Sequence, residues 1–384
     1  MSNSPDSTTR FMWGSSTGQS GATPIILVGS WNGIVFCPRI MEEVTQISTE
    51  TGLEELLSEP YEEDVECARR LGGDLVVLGA GGKMGPTLVN RLLRARSRAG
   101  VDWKVYAASR FSDPIRRRHL DAAGASTLLT DLLEEGSLSR LPDCPNVIFM
   151  AGAKFGTWEN PPGTWVTNTY LPGRVADRFK SSRIVAFSTG NVYPLVSVDS
   201  GGCTEEDPVG PVGEYAQSCL GRERILQYFS RKNSTPMTLL RLNYAVEARY
   251  GVLLDIASRV YARKPVSLEM GHFNAIWQGD ANSACLRSLE LCESPPKILN
   301  VTGSEILSVR EVASAFAHEF GVGVDFTESE SATALLNNAG LCKRLFHLPR
   351  FPLAKMVKLV AYWVKRGGVD WGRPTHFDVR DGKF

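Results

Sequence analysis

The sequence feature that most constrains the fold of this chain is a glycine motif after a short apolar segment. Residues Leu75–Leu78 are all apolar, and Gly79, Gly82 and Gly85 follow them, ahead of an amphipathic segment. The first glycine permits a tight turn, the second lets the backbone approach a pyrophosphate, and the third lets a helix pack closely on a strand. Because N–H groups at the start of such a helix attract phosphates, the motif predicts a dinucleotide-binding strand, turn and helix.

Two other structures can contain a motif of this kind. A glycine-rich turn with a purely structural role is the first, and the motif alone leaves it open. A P-loop is the second. It is excluded because Gly82-Lys83 is followed by Met84 rather than by serine or threonine, and because Val77 stands where the first loop glycine belongs.

Further apolar segments follow the glycine motif and alternate with helical ones. The predicted strands are residues 104–108, 126–129, 147–150 and 184–187. This alternation predicts an α/β fold, a Rossmann-type doubly wound parallel sheet, with a smaller C-terminal substrate-binding region. Ligands of such sheets bind beyond the carboxyl ends of the strands, where short polar stretches of this chain occur.

The chain divides into four predicted segments. Residues 1–48 begin with a stretch rich in serine, threonine and glycine, and are predicted to be disordered or are left unassigned. Residues 49–71 are a predicted helical arm in two pieces, the second starting at Pro60. We assign residues 72–245 to an NAD(P)-binding Rossmann domain. We assign residues 246–384 to a substrate-binding region that is interleaved with that domain.

Composition excludes several classes of function. The 42 basic and 42 acidic residues cancel, so charge gives no support for a nucleic-acid partner. The eight cysteines are scattered without a C-x-x-C pair, which is typical of reduced thiols in the cytosol. The five histidines form no H-E-x-x-H pair, so no metal site is predicted.

Two apolar runs could be mistaken for membrane or targeting segments. The run at residues 25–36 is broken by Gly29 and Gly33 and lacks a basic leader, so it is a poor signal peptide. The run at 356–364 contains Lys358 and is too short to span a bilayer. We interpret it as a helix packed on the domain, with a membrane-surface helix as the alternative. The prediction is a soluble, cytoplasmic protein without a membrane partner.

The residues after the second predicted strand bear on cofactor choice. Dinucleotide-binding folds usually place Asp or Glu there to bind the adenosine ribose 2′-OH. This chain has Ser109-Arg110 instead, with three arginines at 116–118. We therefore predict that NADP(H) is favoured over NAD(H). The alternative is that Arg110 only stacks on the adenine.

Several short motifs follow the glycine turn in a fixed order. They are Asp131-Leu132, Ala151-Gly-Ala-Lys154, Asn168 in V-T-N-x-x-x-P-G, Ser188-Thr-Gly-Asn-Val-Tyr193, Tyr215-Ala-Gln-Ser218 and Arg241-Leu-Asn243-Tyr244. From about Gly73 to at least Gly321 the chain resembles the extended short-chain dehydrogenases/reductases, the NAD-dependent epimerase/dehydratase group. The resemblance implies hydride transfer on a sugar or polyol. It also implies a homodimer that pairs through the helices with the Asn168 and Tyr215 motifs.

The resemblance also implies catalytic roles. Thr189 takes the hydroxyl role, with Ser188 beside it as a candidate, and Tyr215 takes the acid/base role. Asn168 occupies a position that the family uses to bend a helix around a water molecule near the tyrosine. A phenol with a pKa near 10 is a poor base at neutral pH, and a nearby ammonium group lowers that pKa.

The chain departs from the family where this ammonium group belongs. The family lysine lies four residues after the tyrosine, on the same helical face, and here that position is Cys219. Lys154 is the favoured replacement, because in the family an Ala-Gly-x-Lys lysine contacts the cofactor. Arg222 is the weaker candidate, about 10 Å along the helix axis from Tyr215. Cys219 itself is either a reactive thiol or, as we favour, a buried inert one.

The motif and the resemblance together define the predicted cofactor-binding residues. They are Gly79, Gly82, Lys83, Met84, Gly85, Ser109, Arg110, Asp131, Leu132, Ala151, Gly152, Lys154 and Tyr215. Two further features leave alternatives open. Asp280 is either a functional residue or a packing or hinge residue, and residues 371–380 either cover the substrate cleft or dock elsewhere on the surface.

The favoured hypothesis is an NAD(P)-dependent epimerase, dehydratase or reductase that acts on a sugar or polyol. The first alternative is a non-catalytic NAD(P)-binding sensor or scaffold that has lost the lysine. The second alternative is a structural subunit without a ligand. The sequence names no substrate, because no motif that recognises a particular nucleotide stands out.

Overall fold

The computed structural model describes residues 47–383 and two short strands, Ser30–Trp31 and Ile34–Val35, which pair antiparallel. The chain forms two units, Met1–Glu43 and Val44–Phe384. The predicted disorder before residue 47 and the poor signal peptide at 25–36 otherwise lie outside the described residues.

Seven strands between residues 47 and 383 form one central sheet. They are β1 Leu75–Leu78, β2 Val105–Ser109, β3 Ser126–Leu129, β4 Asn146–Phe149, β5 Arg183–Thr189, β6 Met237–Leu242 and β7 Lys297–Val301. All neighbours are parallel, in the spatial order β7-β6-β5-β4-β1-β2-β3. The predicted Rossmann-type doubly wound sheet is therefore confirmed. The strand order reverses between β1 and β4, which is where such sheets bind ligands.

Helices of the described residues cover both faces of the sheet and build the C-terminal region. They are α1 Glu50–Ser58, α2 Glu62–Arg70, α3 Gly85–Ala99, α4 Pro114–Ala122, α5 Pro161–Trp165, α6 Leu171–Arg178, α7 Gly213–Asn233, α8 Val252–Tyr261, α9 Gln278–Arg287, α10 Val309–Phe320, α11 Gly340–Phe346 and α12 Leu353–Lys365. A π-helical turn, Val166–Tyr170, joins α5 to α6.

The helical arm, α1 and α2, packs against α3. Pro60 lies between the two helices rather than in the first turn of α2, which begins at Glu62 with Tyr61 as its N-cap, so the predicted start of this helix is wrong by two residues. The arm is anchored by a buried ion pair in which Arg91 Nε of α3 donates to Asp64 Oδ2 at 2.8 Å.

Asp280 connects the same arm to the C-terminal region. Its carboxylate accepts the Tyr61 hydroxyl at 2.6 Å and the backbone N–H groups of Arg350 and Phe351, each at 2.9 Å. These three bonds give Asp280 a structural role, in agreement with the packing alternative.

A second core lies in the C-terminal region, where α8, α10 and α12 pack together. Helix α12 contains the apolar run at 356–364, and Met356, Leu359 and Trp363 on it are buried in this core. The run is therefore a packed helix, as predicted, and its apolar face is not free for a membrane surface. Within the described residues, no helix combines the length and apolar character that crossing a bilayer requires.

Candidate functional site

The glycine turn after β1 has the geometry that its sequence predicts. Gly79 has φ +95°, and a Cβ atom there would lie 2.7 Å from the backbone nitrogen of Ala151. A Cβ atom on Gly85 would lie 2.1 Å from the carbonyl oxygen of Ala80. Larger residues are therefore excluded from both positions. The turn brings β1, β4 and the start of α3 into close contact.

A cavity of about 660 Å³, the large cavity, lies beyond the carboxyl ends of β1, β2 and β4. Most of the predicted cofactor-binding residues line it, namely Gly79, Gly82, Lys83, Ser109, Arg110, Asp131, Leu132, Ala151 and Gly152. Met84, Lys154 and Tyr215 line a neighbouring cavity instead, and Gly85 is buried under the turn. The sequence thus predicted most of one wall of the large cavity.

Basic side chains surround the end of the large cavity next to β2. Ser109 ends β2, and the Arg110 guanidinium is mostly exposed, with Nη1 3.9 Å from Asp131 Oδ2. Arg116 lies 3.4 Å from an Asp113 carboxylate oxygen and stacks over the Trp371 ring at 5.1 Å. The two arginines are available to an anionic group, although each has a carboxylate nearby.

Residues 371–383, the C-terminal tail, form the opposite wall. Trp371 and Arg373 line the large cavity, and Thr375 lines its neighbour. The tail is fixed by two Thr375 bonds to Asp255 Oδ2, from N at 2.7 Å and from Oγ1 at 2.5 Å. Further along, Gly382 packs directly on the backbone of Gly213 at the start of α7. Of the two alternatives left open by the sequence, the tail therefore covers the cleft.

The neighbouring cavity, the small cavity, has a volume of about 160 Å³. It is lined by Lys83, Met84, Lys154, Ser188, Thr189, Asn191, Tyr215, Leu242, Asn243, Tyr244, Ala245, Tyr250, Gly251 and Thr375. Lys83 and Tyr250 line both cavities, so they mark the junction between them.

Thr189 and Tyr215 face each other at the small cavity. Burial raises the pKa of Tyr215, and the hydrogen bond between the hydroxyl groups of the two residues lowers it by a smaller amount. Ser188 donates its hydroxyl to Glu223 Oε1 at 2.6 Å, and Arg241 also binds this carboxylate. Ser188 lines the cavity but donates to Glu223, whereas the Thr189 hydroxyl is the one hydrogen-bonded to Tyr215.

Cys219 occupies the position four residues after Tyr215 and is 1% exposed. Burial raises the pKa of its thiol, which is also hydrogen-bonded to the Tyr215 hydroxyl. A protonated thiol in a closed environment agrees with the inert interpretation of this cysteine. In the described part of the chain all cysteines are free, and no group of three or more potential metal ligands occurs.

Arg222 provides a buried positive charge beneath the site. Its Nη2 donates to Asn168 Oδ1 at 2.7 Å, and its Nη1 donates to the Phe187 carbonyl at 2.7 Å. Its charge opposes the effect of burial and lowers the pKa of Tyr215. A Cβ atom on Gly152 would lie 2.7 Å from Nη2, so the guanidinium packs against the large cavity's lining.

Asn168 connects this guanidinium to the loop after β4. It lies in the π-helical turn, is fully buried, and exchanges hydrogen bonds with both the N–H and the C=O of Ala153, at 2.9 and 2.8 Å. Its Nδ2 also donates to Ser218 Oγ at 3.0 Å. Asn168 therefore acts on the site through the backbone that carries Gly152 and Lys154.

Two lysines approach the small cavity with partly buried side chains. Lys83 Nζ donates to the Ala245 carbonyl at 2.9 Å and lies 3.6 Å from the centre of the Tyr250 ring. Desolvation lowers the pKa of Lys83 to about 7 and that of Lys154 to about 8. The two ammonium groups also repel one another, which contributes to the lower pKa of Lys83.

Sequence analysis missed several residues of this site. Tyr250 and Thr375 line it from the C-terminal region, and neither is part of a motif that marks a site in the sequence alone. Tyr244 was quoted only as part of a family motif. Its backbone has φ +41°, and a strained residue of this kind is typical of functional sites. The positive φ is visible only in the structure.

The chain is similar to solved structures of sugar-nucleotide epimerases. For UDP-glucose 4-epimerase from Thermotoga maritima, solved with UDP-glucose, the identity is 15% and the TM-score 0.65, over 77% of this chain and 99% of that one. For UDP-glucuronic acid 4-epimerase from Bacillus cereus, solved with UDP-glucuronic acid and NAD, the identity is 16% and the TM-score 0.65, over 76% and 99%. For UDP-glucose 4-epimerase from Thermus thermophilus, in complex with NAD, the values are 20% and 0.63, over 75% and 97%. At these identities the similarity shows a shared fold.

A search of curated proteins finds no match to the chain. A family model, in contrast, matches residues 75–272, which is more than half of the sequence. The matched range starts at β1 and contains the glycine turn, the Asn168 turn and the Thr189–Tyr215 pair. The chain therefore belongs to the NAD dependent epimerase/dehydratase family.

Proposed function

We propose that this protein is an NAD(P)-dependent enzyme of the epimerase, dehydratase or reductase type that acts on a sugar or polyol by hydride transfer. The observation that carries the proposal is the hydrogen-bonded Thr189–Tyr215 pair, placed in a small polar cavity that adjoins a cavity large enough for a dinucleotide. Burial raises the pKa of this phenol, and ionisable groups with strongly shifted pKa values cluster at functional sites.

The residues of the large cavity fit a dinucleotide. The glycine turn lacks side chains where a Cβ atom would clash, and it directs the N-terminus of α3 toward the position of a diphosphate. A bound nicotinamide would supply the hydride acceptor or donor. From the loop after β4, Lys154 is assigned to the side of the cofactor that faces the small cavity. Met84 and Tyr215 would then contact the nicotinamide end of the cofactor from the wall of the small cavity, which is left to the substrate.

Proton transfer is the task that we assign to the residues of the small cavity. In the oxidising direction Tyr215 removes the proton of a substrate hydroxyl while the carbon gives up its hydride, and in the reducing direction it returns that proton. Thr189 binds the same oxygen and polarises it. A positive charge near Tyr215 favours its ionised form, and Arg222 and Lys154 are the two candidates.

The two parts of the chain share these tasks in our proposal. Residues 72–245 supply most of the cofactor site, to which Tyr250, Trp371 and Arg373 add one wall, and residues 246–384 help to shape the substrate pocket. Tyr250 and Thr375 come from the second part and line the small cavity. The solved structures with UDP-glucose and UDP-glucuronic acid make a sugar the first substrate class to test.

For the cofactor we propose a preference for NADP(H) over NAD(H), supported by Ser109 at the end of β2 and by Arg110 and Arg116 beside it. The test is a titration of the protein with NADPH and NADH, followed by energy transfer from tryptophan. We expect NADPH to bind about tenfold more tightly, and Arg110→Ala to remove most of that difference. Arg118→Ala is the matched control, since Arg118 is exposed and does not line the cavity.

Each outcome of this titration leads to a different conclusion. Equal affinity, or tighter NADH binding, would retain the cofactor site and overturn the preference. If neither dinucleotide binds, the proposed function fails, because the large cavity would then have no cofactor.

A second candidate function is a non-catalytic NAD(P)-binding sensor or scaffold. The observation that favours it is Cys219, a buried thiol with a raised pKa where a lysine ammonium is expected. Cofactor binding without turnover on a broad sugar panel would support this candidate. Turnover of any sugar or polyol would exclude it.

We further propose that the protein is a cytoplasmic homodimer. An apolar groove of about 610 Å³ runs along the π-helical turn, α6 and α7, the elements that contain Asn168 and Tyr215. The free cysteines of the described residues support a reducing compartment.

A further inference from the structure

The walls of the small cavity carry charge of one sign. Of the described residues that line it, Lys83 and Lys154 are the charged ones, and none of the lining residues is acidic. Lys83 comes from the glycine turn and Lys154 from the loop after β4, so two separate segments direct an ammonium group toward the same space. A pair of desolvated cations is costly unless an anion accompanies it.

The acidic groups near these lysines are engaged behind the cavity wall. Glu247 is fully buried and accepts bonds from the backbone N–H and Nε of Arg249, at 3.0 and 3.2 Å. Asp255 accepts both bonds of Thr375. Glu247 and Asp255 attract Lys83, and Asp255 attracts Lys154, which opposes the effect of desolvation on the lysine pKa values. Neither carboxylate lines the cavity. The surface presented to a ligand is therefore positive.

The remaining polar lining suits a ligand with several hydroxyl groups. Ser188, Thr189, Asn191, Tyr215, Asn243, Tyr244, Tyr250 and Thr375 contribute hydroxyl or amide groups. Such groups both donate and accept hydrogen bonds, as a polyol does. Of these, Ser188, Asn243 and Thr375 already donate hydrogen bonds to Glu223, Asn337 and Asp255. The hydroxyls of Tyr244 and Tyr250 and the amide nitrogen of Asn191 are the groups offered to a ligand.

Cavity size limits the ligand further. The small cavity has about 160 Å³, against about 660 Å³ for the large cavity. A volume of this size favours a ligand portion about as large as a single sugar ring. Thr375 of the C-terminal tail forms part of the wall and is fixed by Asp255.

We propose that the substrate is a small polyhydroxylated anion, a sugar acid or a sugar phosphate without a nucleotide carrier, whose acidic group binds between Lys83 and Lys154. The inference rests on the proposed function, since it assigns the substrate class of the same site. It differs from the solved structures named above, whose sugars are linked to UDP.

A pH dependence follows from the charges around the two lysines. The groups that act on them are Glu247, Arg249, Asp255 and Cys219, besides the lysines themselves. Desolvation lowers the pKa of Lys83 to about 7 and of Lys154 to about 8, and a bound anion raises both. Below pH 7 both lysines are protonated and affinity is highest. Above about pH 8 the two lysines are largely deprotonated and must take up protons when the anion binds. Affinity therefore falls, and binding is accompanied by proton uptake.

The test is calorimetry on the full chain saturated with its nicotinamide cofactor. The ligands are gluconate, glucuronate, glucose 6-phosphate, glucose, sorbitol and UDP-glucose. We expect a sugar acid or a sugar phosphate to bind at least about tenfold more tightly than its neutral analogue, and UDP-glucose not to bind. Titrations at pH 8 in two buffers of different ionisation enthalpy should show proton uptake, and titrations at pH 6 should not. Comparison of the carboxylates with the phosphate identifies which anion the site takes.

Three variants connect these effects to the lysines. Lys154→Met should remove the preference for the anion at a cofactor concentration that saturates this variant, which is measured first because the same lysine is assigned to the cofactor. Lys154→Arg should keep the preference and reduce the proton uptake, because a guanidinium stays charged at these pH values. Lys264→Met is the control, since Lys264 is an exposed lysine outside both cavities, and should behave as the unmodified protein. If Lys154→Met does not fold, the Lys154→Arg result still decides the point, because unchanged proton uptake would contradict the role of Lys154.

Failure of this inference can be distinguished from failure of the proposed function. Absence of cofactor binding in the same calorimeter removes the function itself. Cofactor binding with equal affinity for neutral and anionic polyols, or with tight binding of UDP-glucose, overturns the inference alone.

Discussion

The residue to which we assign proton transfer, Tyr215, depends on another residue for the positive charge that would lower the pKa of its phenol. Tyr215 has Cys219 where the family lysine belongs, and the thiol cannot lower the pKa of a phenol. Arg222 lies one helical turn further along α7, yet its guanidinium folds back to Asn168 and Phe187. A guanidinium remains protonated at any physiological pH, so its charge is more constant than that of a lysine in the same place. Lys154, in contrast, has a pKa close to the working range.

The first prediction compares these two cations. Arg222→Met should lower oxidative turnover at neutral pH by about 10²-fold and move the rising, acidic limb of the pH–rate profile to higher pH, because loss of a nearby positive charge disfavours the ionised form of Tyr215. Arg222→Lys should recover part of the loss. The measurement is turnover against pH with a substrate found in the sugar panel.

Two controls accompany this comparison. Arg224→Met changes an exposed arginine on the same helix and should leave the profile in place. Cys219→Lys in the Arg222→Met background should restore activity, since it returns the charge to the family position. If Lys154→Met shifts the profile and Arg222→Met does not, Lys154 supplies the charge. If Lys154→Met leaves turnover and cofactor affinity intact, Lys154 does not have that role.

Among single residues, the sequence indicated those cavity-lining residues that lie directly at the ends of strands. Gly79, Ser109, Asp131 and Ala151 follow their strands by one or two residues or end them, so the parallel topology places them together. Thr375 reaches the site from the C-terminal tail, far from these residues in sequence, and is held by Asp255. Contacts of that kind depend on tertiary packing and leave no local pattern in the sequence.

Among the elements, the helical arm is attached to the sheet domain through a buried ion pair. Asp64 of α2 and Arg91 of α3 are both fully buried, and Asp64 also accepts the Ser283 hydroxyl of α9 at 2.6 Å. The pair connects three helices at one point. Such a pair contributes little compared with an apolar substitute, but removing one partner leaves the other charge buried alone.

The second prediction follows from this pair. Asp64→Ala should lower the free energy of unfolding by about 3–5 kcal/mol, because the Arg91 guanidinium loses its counter-charge in a dry environment. The matched control is Glu66→Ala in the same helix, where the exposed pair with Arg70 at 3.8 Å should contribute less than about 0.5 kcal/mol. Urea unfolding followed by circular dichroism measures both. Equal effects of the two substitutions would contradict this account.

The ends of strands and helices could not be predicted from local sequence patterns alone, because they depend on neighbouring elements. The fifth predicted strand ended at residue 187, but β5 continues to Thr189, because its pairing with β6 extends to Leu242. Ser188 and Thr189 are polar and gave no strand signal, yet a neighbouring strand supplies their hydrogen bonds. In the helical arm, Pro60 correctly indicated a break between two helices. It did not indicate where the second helix begins, since Tyr61 rather than the proline caps α2.

At the scale of the whole molecule, an exposed apolar surface lies along the π-helical turn, α6 and α7, the same elements that carry Asn168 and Tyr215. Trp165, Val166 and Tyr170 are 38, 42 and 60% exposed, and they border the groove together with Ile225 and Phe229. Exposed aromatic groups in one continuous patch are typical of protein interfaces. The expected homodimer through these helices would cover the patch.

The third prediction tests that dimer. Light scattering at micromolar concentration should give twice the mass of one chain, and Tyr170→Glu should shift the protein to the monomer by placing a charge in the apolar patch. Tyr261→Glu is the matched control, because Tyr261 is 48% exposed on α8, away from the groove. A monomeric unmodified protein would exclude this dimer, and dissociation by both variants would show that the effect is not specific to the groove.

The C-terminal tail described above has one more consequence, which concerns proteolysis. Arg373 faces the large cavity, and Arg380 holds the tail down through the Thr333 carbonyl at 2.7 Å. Trypsin cleaves after arginine except where proline follows, so the Arg373–Pro374 bond resists it, whereas the Arg380–Asp381 bond becomes cleavable whenever this part of the tail lifts. A ligand in either cavity adds contacts that hold the tail closed. The rate at which trypsin trims this protein is therefore a measure of cavity occupancy that needs neither a coloured ligand nor a known reaction.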